Sequence, residues 1–103
     1  MSADFRDVVN VDRVLHEPAR LVIVGLLYAV ESADFLFLQS ETGLTKGNLS
    51  SHLVKLEESG YVAIEKGYRG KVPHTVCRLS RAGRAALRAY RAQMRQALGA
   101  LPK

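Results

Sequence analysis

The sequence predicts an α+β fold, mainly helical, with four helical segments and one β-hairpin, and three observations carry that reading. Apolar residues recur at helical spacing over residues 17–29, 46–59 and 81–98; the period changes to two after Tyr61; and Gly, Pro, Ser and Thr stand where those segments must start or stop. The 103 residues, 48% of them hydrophobic, suffice for one core and one small domain, which excludes multi-domain enzyme architectures. The one thiol, Cys77, can close neither an internal disulfide nor a Cys-rich zinc cage, which points to a reducing compartment. The longest apolar run, Leu21–Val30, has ten residues, about half the length of a bilayer-spanning helix. The first seven residues are acidic rather than signal-like, so the expected location is cytoplasmic, with no membrane partner.

Taken in order, residues 1–10 hold only Phe5, Val8 and Val9 as apolar positions and read either as a short helix or as an arm. His16-Glu17-Pro18 is a helix start, with Pro18 in the first turn, where its missing N–H costs nothing. The helix should run from Glu17 to Ala29. It is apolar on nearly every side, which predicts a central buried helix. Gly25 within it costs about 1 kcal/mol of helicity and is expected to mark the close packing of another element. Glu31 to Asp34 break the pattern, and Phe35 to Gln39 form a short helix closing at Thr42-Gly43, with Gly43 left-handed. Thr45 is the N-cap of the next helix, and Leu44 and Leu49 form a hydrophobic staple across it. That helix continues from Lys46 to Ser59 with Leu49, Leu53 and Leu56 as an apolar stripe, and Gly60 stops it.

Val62 and Ile64 then alternate with polar residues as a strand. Lys66 to His74, with two Gly and one Pro, read as a long basic loop, and Thr75, Cys77 and Leu79 as the returning strand. Ser80 caps a last helix that ends near Leu98. The whole, residues 1–103, is expected to be a single domain with a core over about 12–80 and a terminal helix over about 81–98.

Charge divides this chain sharply. Residues 1–60 hold five basic and nine acidic groups, a balance of −4; residues 61–103 hold ten basic groups and the single carboxylate of Glu65, a balance of +9. Such a field attracts a polyanion and speeds its association. Two helices joined by a short Gly-containing turn form a helix-turn-helix, whose second helix can lie in a DNA major groove. With the three leucines on the core side, Gly47, Asn48, Ser51, Lys55 and Glu58 project the other way. Small residues let the backbone approach, Asn48 can read adenine bidentately, Ser51 can bond a base or a phosphate, and Lys46 and Lys55 can neutralise phosphates. The candidate DNA-contacting set on this helix is Thr45, Lys46, Gly47, Asn48, Ser50, Ser51 and Lys55. The hairpin adds Lys66, Tyr68, Arg69 and Lys71, a basic finger suited to a phosphate backbone or a minor groove. Helix, helix, turn, reading helix and basic hairpin, in that order, is a winged helix-turn-helix.

Four stretches carry a family resemblance: His16-Glu17-Pro18-Ala19-Arg20-Leu21, Leu44-Thr45-Lys46-Gly47-Asn48-Leu49-Ser50-Ser51-His52-Leu53, Leu56-Glu57-Glu58-Ser59-Gly60-Tyr61-Val62 and Leu79-Ser80-Arg81-Ala82-Gly83. Over about residues 12–87 the chain resembles the small single-domain winged-helix transcriptional regulators related to the MarR-like and ArsR-like repressors. The resemblance implies a dimeric regulator that binds double-stranded DNA, with its reading helix at Thr45–Ser59 and its wing tip at Gly67–Pro73. The chain also departs from those relatives. ArsR-like metal sensors cluster Cys or His ligands, whereas Cys77, His16, His52 and His74 are scattered here, so neither a metal nor a cofactor is expected. MarR-like proteins hold a ligand between DNA-binding and dimer domains, and this chain is short for that, although a small-molecule effector is compatible with it. Cys77 falls on the inward face of its strand, as a small core residue does.

Along the last helix Gly83, Leu87, Tyr90, Met94, Ala97 and Leu101 repeat at four and three, a seam suited to a partner helix. With Leu98 beside it, this is the expected homodimer interface. Deleting residues 88–103 is accordingly expected to leave a folded monomeric core. No nucleophile–base pair, phosphate loop or paired catalytic carboxylates stand out, so an enzyme is not expected. A repressor is preferred because no activation module is attached. The alternatives are a winged helix used for protein–protein interaction and a ligand-responsive sensor.

Overall fold

A computed structural model describes residues 5–102. After a 3-10 turn at Phe5–Asn10, the chain forms α1 (Pro18–Val30), β1 (Ser32–Asp34), α2 (Phe35–Thr42), α3 (Lys46–Glu58), β2 (Val62–Arg69), β3 (Val72–Leu79) and α4 (Arg81–Gly99). The strands make one antiparallel sheet in the order β1-β3-β2. The winged helix-turn-helix expected from the sequence is the observed architecture.

Local chemistry accounts for the boundaries. Glu17 is extended, and its carboxylate accepts the Arg20 N–H at 2.9 Å, so it caps α1 while Pro18 opens it. Burial disfavours the Glu17 charge, but the Arg20 N–H and the neighbouring His52 outweigh it and hold the carboxyl below its usual range. Thr45 caps α3 through Asn48 N–H at 3.1 Å, and Ser80 caps α4 through Gly83 N–H at 3.0 Å. At the other end of α3, Gly60 adopts φ 82°, Gly60 N–H donates to Glu57 O at 3.0 Å and Tyr61 N–H donates to Leu56 O at 3.0 Å. This paired closure needs a left-handed residue at that position.

The core combines Leu15 with Ile23, Val24 and Leu27 of α1, Leu38 of α2, the Leu49, Leu53 and Leu56 stripe of α3, and Val62 and Cys77 of the sheet. Tyr90 of α4 belongs to the same cluster, and its hydroxyl meets His16 Nδ1 at 2.8 Å. The turn before α1 is held by Asp12, whose Oδ1 accepts Val14 N–H at 2.8 Å and Leu15 N–H at 3.1 Å while Oδ2 accepts the Tyr61 hydroxyl.

Several expectations change here. The residues read as a break before α2 include a strand, Ser32–Asp34, paired with Arg78, Cys77 and Val76. Three residues are too few to show a period of two, and their partner lies more than forty positions away. The long basic loop is instead continuous hairpin: Gly67 pairs with His74, Tyr68 with Pro73 and Arg69 with Val72, leaving Gly70 (φ 65°) and Lys71 as the turn. Pro73 is tolerated because the outer half of β3 has lost β1 as a neighbour and its missing N–H faces a free edge.

Helix α1 is not buried all round, since Val22 is 49% and Val30 44% exposed. Gly25 has no neighbour within 4 Å of where a Cβ would stand, so it does not mark a close approach; Gly83 does, against the Tyr61 carbonyl. On α4, Tyr90 and Ala97 are buried within the chain itself and Leu87 and Met94 pack against its core, so the helix from Arg88 to Ala97 is part of the fold rather than an appendage. Leu98 and Leu101 remain 58% and 50% exposed.

Candidate nucleic-acid interface

The turn between α2 and α3 is built by its own polar side chains. Asp34 caps α2 by accepting Phe37 N–H at 2.8 Å, and that bond, ahead of the contact with His74, holds its carboxyl below the ordinary range. Gly43 closes α2 at φ 71° with its N–H on Gln39 O. The Thr42 hydroxyl donates to Leu38 O at 2.7 Å and accepts Leu44 N–H at 3.2 Å, which sets the angle at which Thr45 enters α3. Burial of Leu49, Leu53 and Leu56 then turns the opposite side of α3 outward. Thr45, Lys46, Gly47, Asn48, Ser50, Ser51 and Lys55 are all exposed. The first turn of the helix, whose Asn48 N–H is taken up by the Thr45 cap, carries the small residue Gly47 and leaves its outer face open to a close approach.

The hairpin presents the other half. Strand alternation puts Lys66 and Tyr68 on the face that carries Val62 and Ile64, beyond the point where the core ends, while Arg69 lies on the reverse face and Lys71 in the turn. All four are exposed, Tyr68 to 76%. The wing is braced at its flank by His74, whose Nε2 lies 3.4 Å from Asp34 Oδ2, so one carboxylate both caps α2 and holds β3.

Arg20 and His52 add a brace that the sequence reading did not single out. Arg20 Nε donates to Val14 O at 2.7 Å, and its Nη1 lies 3.2 Å from His52 Nδ1 on α3. The other ring nitrogen, Nε2, faces Glu17 Oε2 at 3.7 Å. The start of α1 thereby holds α3 through one half-buried histidine. Its only trace in the sequence is a polar residue next to the leucine stripe. Beside this brace, Arg13, Val14, Arg20, Lys55, Glu58 and Ser59 line an open cleft of about 380 Å³ at the end of α3.

His16, His52, His74 and Cys77 lie in four separate settings. Burial pushes the Cys77 thiol up to about 11, which suits a core residue and not a reactive thiolate.

A family model described as a winged helix DNA-binding domain matches residues 19–98. An uncharacterized protein of Methanocaldococcus jannaschii is 37% identical over 79 residues, which span 76% of this chain and 85% of that one. Among solved structures, a transcriptional regulator homologue from Pyrococcus horikoshii superposes with a TM-score of 0.87 at 26% identity, covering 96% of this chain and 98% of that one. NadR in complex with 4-hydroxyphenylacetate shares the fold with a TM-score of 0.70 at 20% identity, over 93% of this chain and 66% of NadR. An ArsR family transcriptional regulator shares it with a TM-score of 0.57 at 20% identity, over 87% and 88% of the two chains.

Proposed function

Because the chain belongs to the winged-helix DNA-binding domain family, we propose that it is a dimeric transcriptional repressor that reads duplex DNA by sequence. In this reading α3 enters the major groove. Asn48 and Ser51 meet base edges, Gly47 admits the backbone, and Thr45, Lys46, Ser50 and Lys55 engage phosphates or neighbouring bases. Lys66, Tyr68, Arg69 and Lys71 of the wing follow the adjacent backbone or minor groove. The observation that carries the proposal is the joint exposure of these eleven residues, on a helix face and a hairpin whose opposite sides are anchored in one core. The likeness to the Pyrococcus regulator homologue over nearly its whole length supports the regulatory role.

Dimerisation is supported by Leu98 and Leu101, which one protomer leaves uncovered. The likeness to NadR, solved in complex with 4-hydroxyphenylacetate, extends the proposal to a small-molecule effector, whose addition would release or tighten bound duplex. Selection of bound duplexes from a random pool tests the central reading. A two-fold dimer should enrich a near-palindrome with half-sites about 34 Å apart or a multiple of that. A pool that stays random after repeated rounds would overturn sequence-specific reading.

A further inference from the structure

Helix α4 carries Arg81, Arg84, Arg88, Arg91 and Arg95 at spacings of three and four and no Asp or Glu. At roughly 100° per residue these five fall within an arc of about 80°, along about 21 Å of helix. Four of the five are exposed and Arg84 is half-buried. The arc lies to one side of the core-facing positions Gly83, Tyr90 and Ala97, and beyond it the exposed surface is made of Ala82, Ala85, Ala89 and Ala92, with Gln96 towards its C-terminal end.

Two members are held in place from α1. The Arg84 guanidinium sits 4.4 Å from the centre of the Tyr28 ring, and the neighbouring Arg88, with Arg84, draws the Tyr28 phenol below its ordinary pKa. Arg81, Arg91 and Arg95 meet no carboxylate among the described residues. Five guanidiniums at about 5 Å intervals along a helix repel one another, and nothing in the described fold neutralises them. A partner with regularly repeated negative charge does, and a duplex carries one phosphate about every 3.4 Å along each strand.

We propose that the arginine ridge of α4 is a second nucleic-acid surface, binding the phosphate backbone of a duplex without reading its sequence, independently of α3 and the wing. Tyr28 pre-orders Arg84 and Arg88, and the alanine face allows close approach beside them. The surface adds a salt-sensitive, sequence-blind component to binding, through which the protein can hold flanking DNA or a second duplex segment.

The test uses the full chain and a random-sequence duplex titrated over a range of salt. The variant Arg81→Gln, Arg91→Gln, Arg95→Gln leaves the Tyr28 contacts intact and should melt like wild type. It is expected to lower the log–log salt slope by about 2 to 3 per protomer, while the Lys versions of the same positions keep the slope. An unchanged slope in the Gln variant overturns the ridge as a DNA surface, and a fall in sedimentation coefficient with that unchanged slope assigns the ridge to an acidic face of a second copy. A companion variant, Lys46→Ala, Asn48→Ala, Arg69→Ala, should keep residual salt-sensitive binding through α4; complete loss there overturns the independence of the ridge. Failure of wild type to bind any duplex would instead overturn the DNA-binding reading as a whole.

Discussion

The main-chain carbonyl of Tyr61 accepts the Ser80 N–H at 2.9 Å, so the chain just beyond α3 and the cap of α4 meet at one oxygen. The Ser80 hydroxyl closes the same junction by donating to Gly60 O at 2.6 Å. Gly83 lies directly over it: a Cβ there would overlap the Tyr61 carbonyl oxygen and come within 2.7 Å of Leu79 Cδ1. The α4 backbone at Gly83 is thus packed closely on the chain that links α3 to the wing.

Gly83→Ala should destabilise the fold by about 1–3 kcal/mol through overpacking against main chain. Gly25→Ala, in a helix and with nothing within 4 Å, should raise stability by about 0.5–1 kcal/mol. Urea unfolding of both variants checks the pair, and equal effects would contradict the packing at Gly83.

Alkali should weaken the fold in two overlapping steps. Burial pushes the Cys77 thiol up to about 11 from an ordinary 9.0, and the hydrogen bond to Asp12, with burial, pushes the Tyr61 phenol up to about 12 from 10.0. In both the protonated form is favoured by folding, so the stabilisation is complete below the unfolded values. It is lost as pH rises from 9 towards 11 for the thiol and from 10 towards 12 for the phenol, because the unfolded chain then binds fewer protons. Tyr61→Phe should reduce the later part of the loss, of which the Tyr90 phenol, also raised by burial, keeps a share, and leave its onset near pH 9, as read by unfolding midpoints against pH.

Reading and positioning should separate by substitution. Asn48→Ala and Ser51→Ala should each cost about 1–3 kcal/mol on the selected duplex and little on random sequence, whereas Arg69→Ala should weaken both alike. Equal losses on both duplexes for all three would remove α3 from the major groove.

Leu98→Glu with Leu101→Glu should keep the thermal midpoint, since both side chains are at least half exposed, yet yield monomers that hold a half-site weakly through lost bivalency. A chain cut before residue 88 should behave differently and lose cooperative unfolding, because Tyr90 and its bond to His16 go with it. Sedimentation and melting curves distinguish the two; a double variant that still sediments as a dimer would move the interface elsewhere.

Much of this molecule is written in short-range patterns. The leucine stripe of α3, the helix start at Pro18, the caps Thr45 and Ser80, the left-handed Gly43 and the stop at Gly60 are local preferences acting over three to five residues, and each stands in the fold where the pattern puts it. The polar face of α3 follows from the same periodicity, because burying Leu49, Leu53 and Leu56 leaves Asn48 and Ser51 no other direction. What only the tertiary structure decided depends on residues far apart in the chain. The three residues of β1 become a strand because β3 offers them backbone partners, and Arg20 becomes a brace because α3 brings His52 to it across thirty-two positions. The seam of α4 divides for the same reason. The core takes Tyr90 and Ala97 and leaves Leu98 and Leu101 outside, a choice set by which surface α4 covers rather than by any spacing along it.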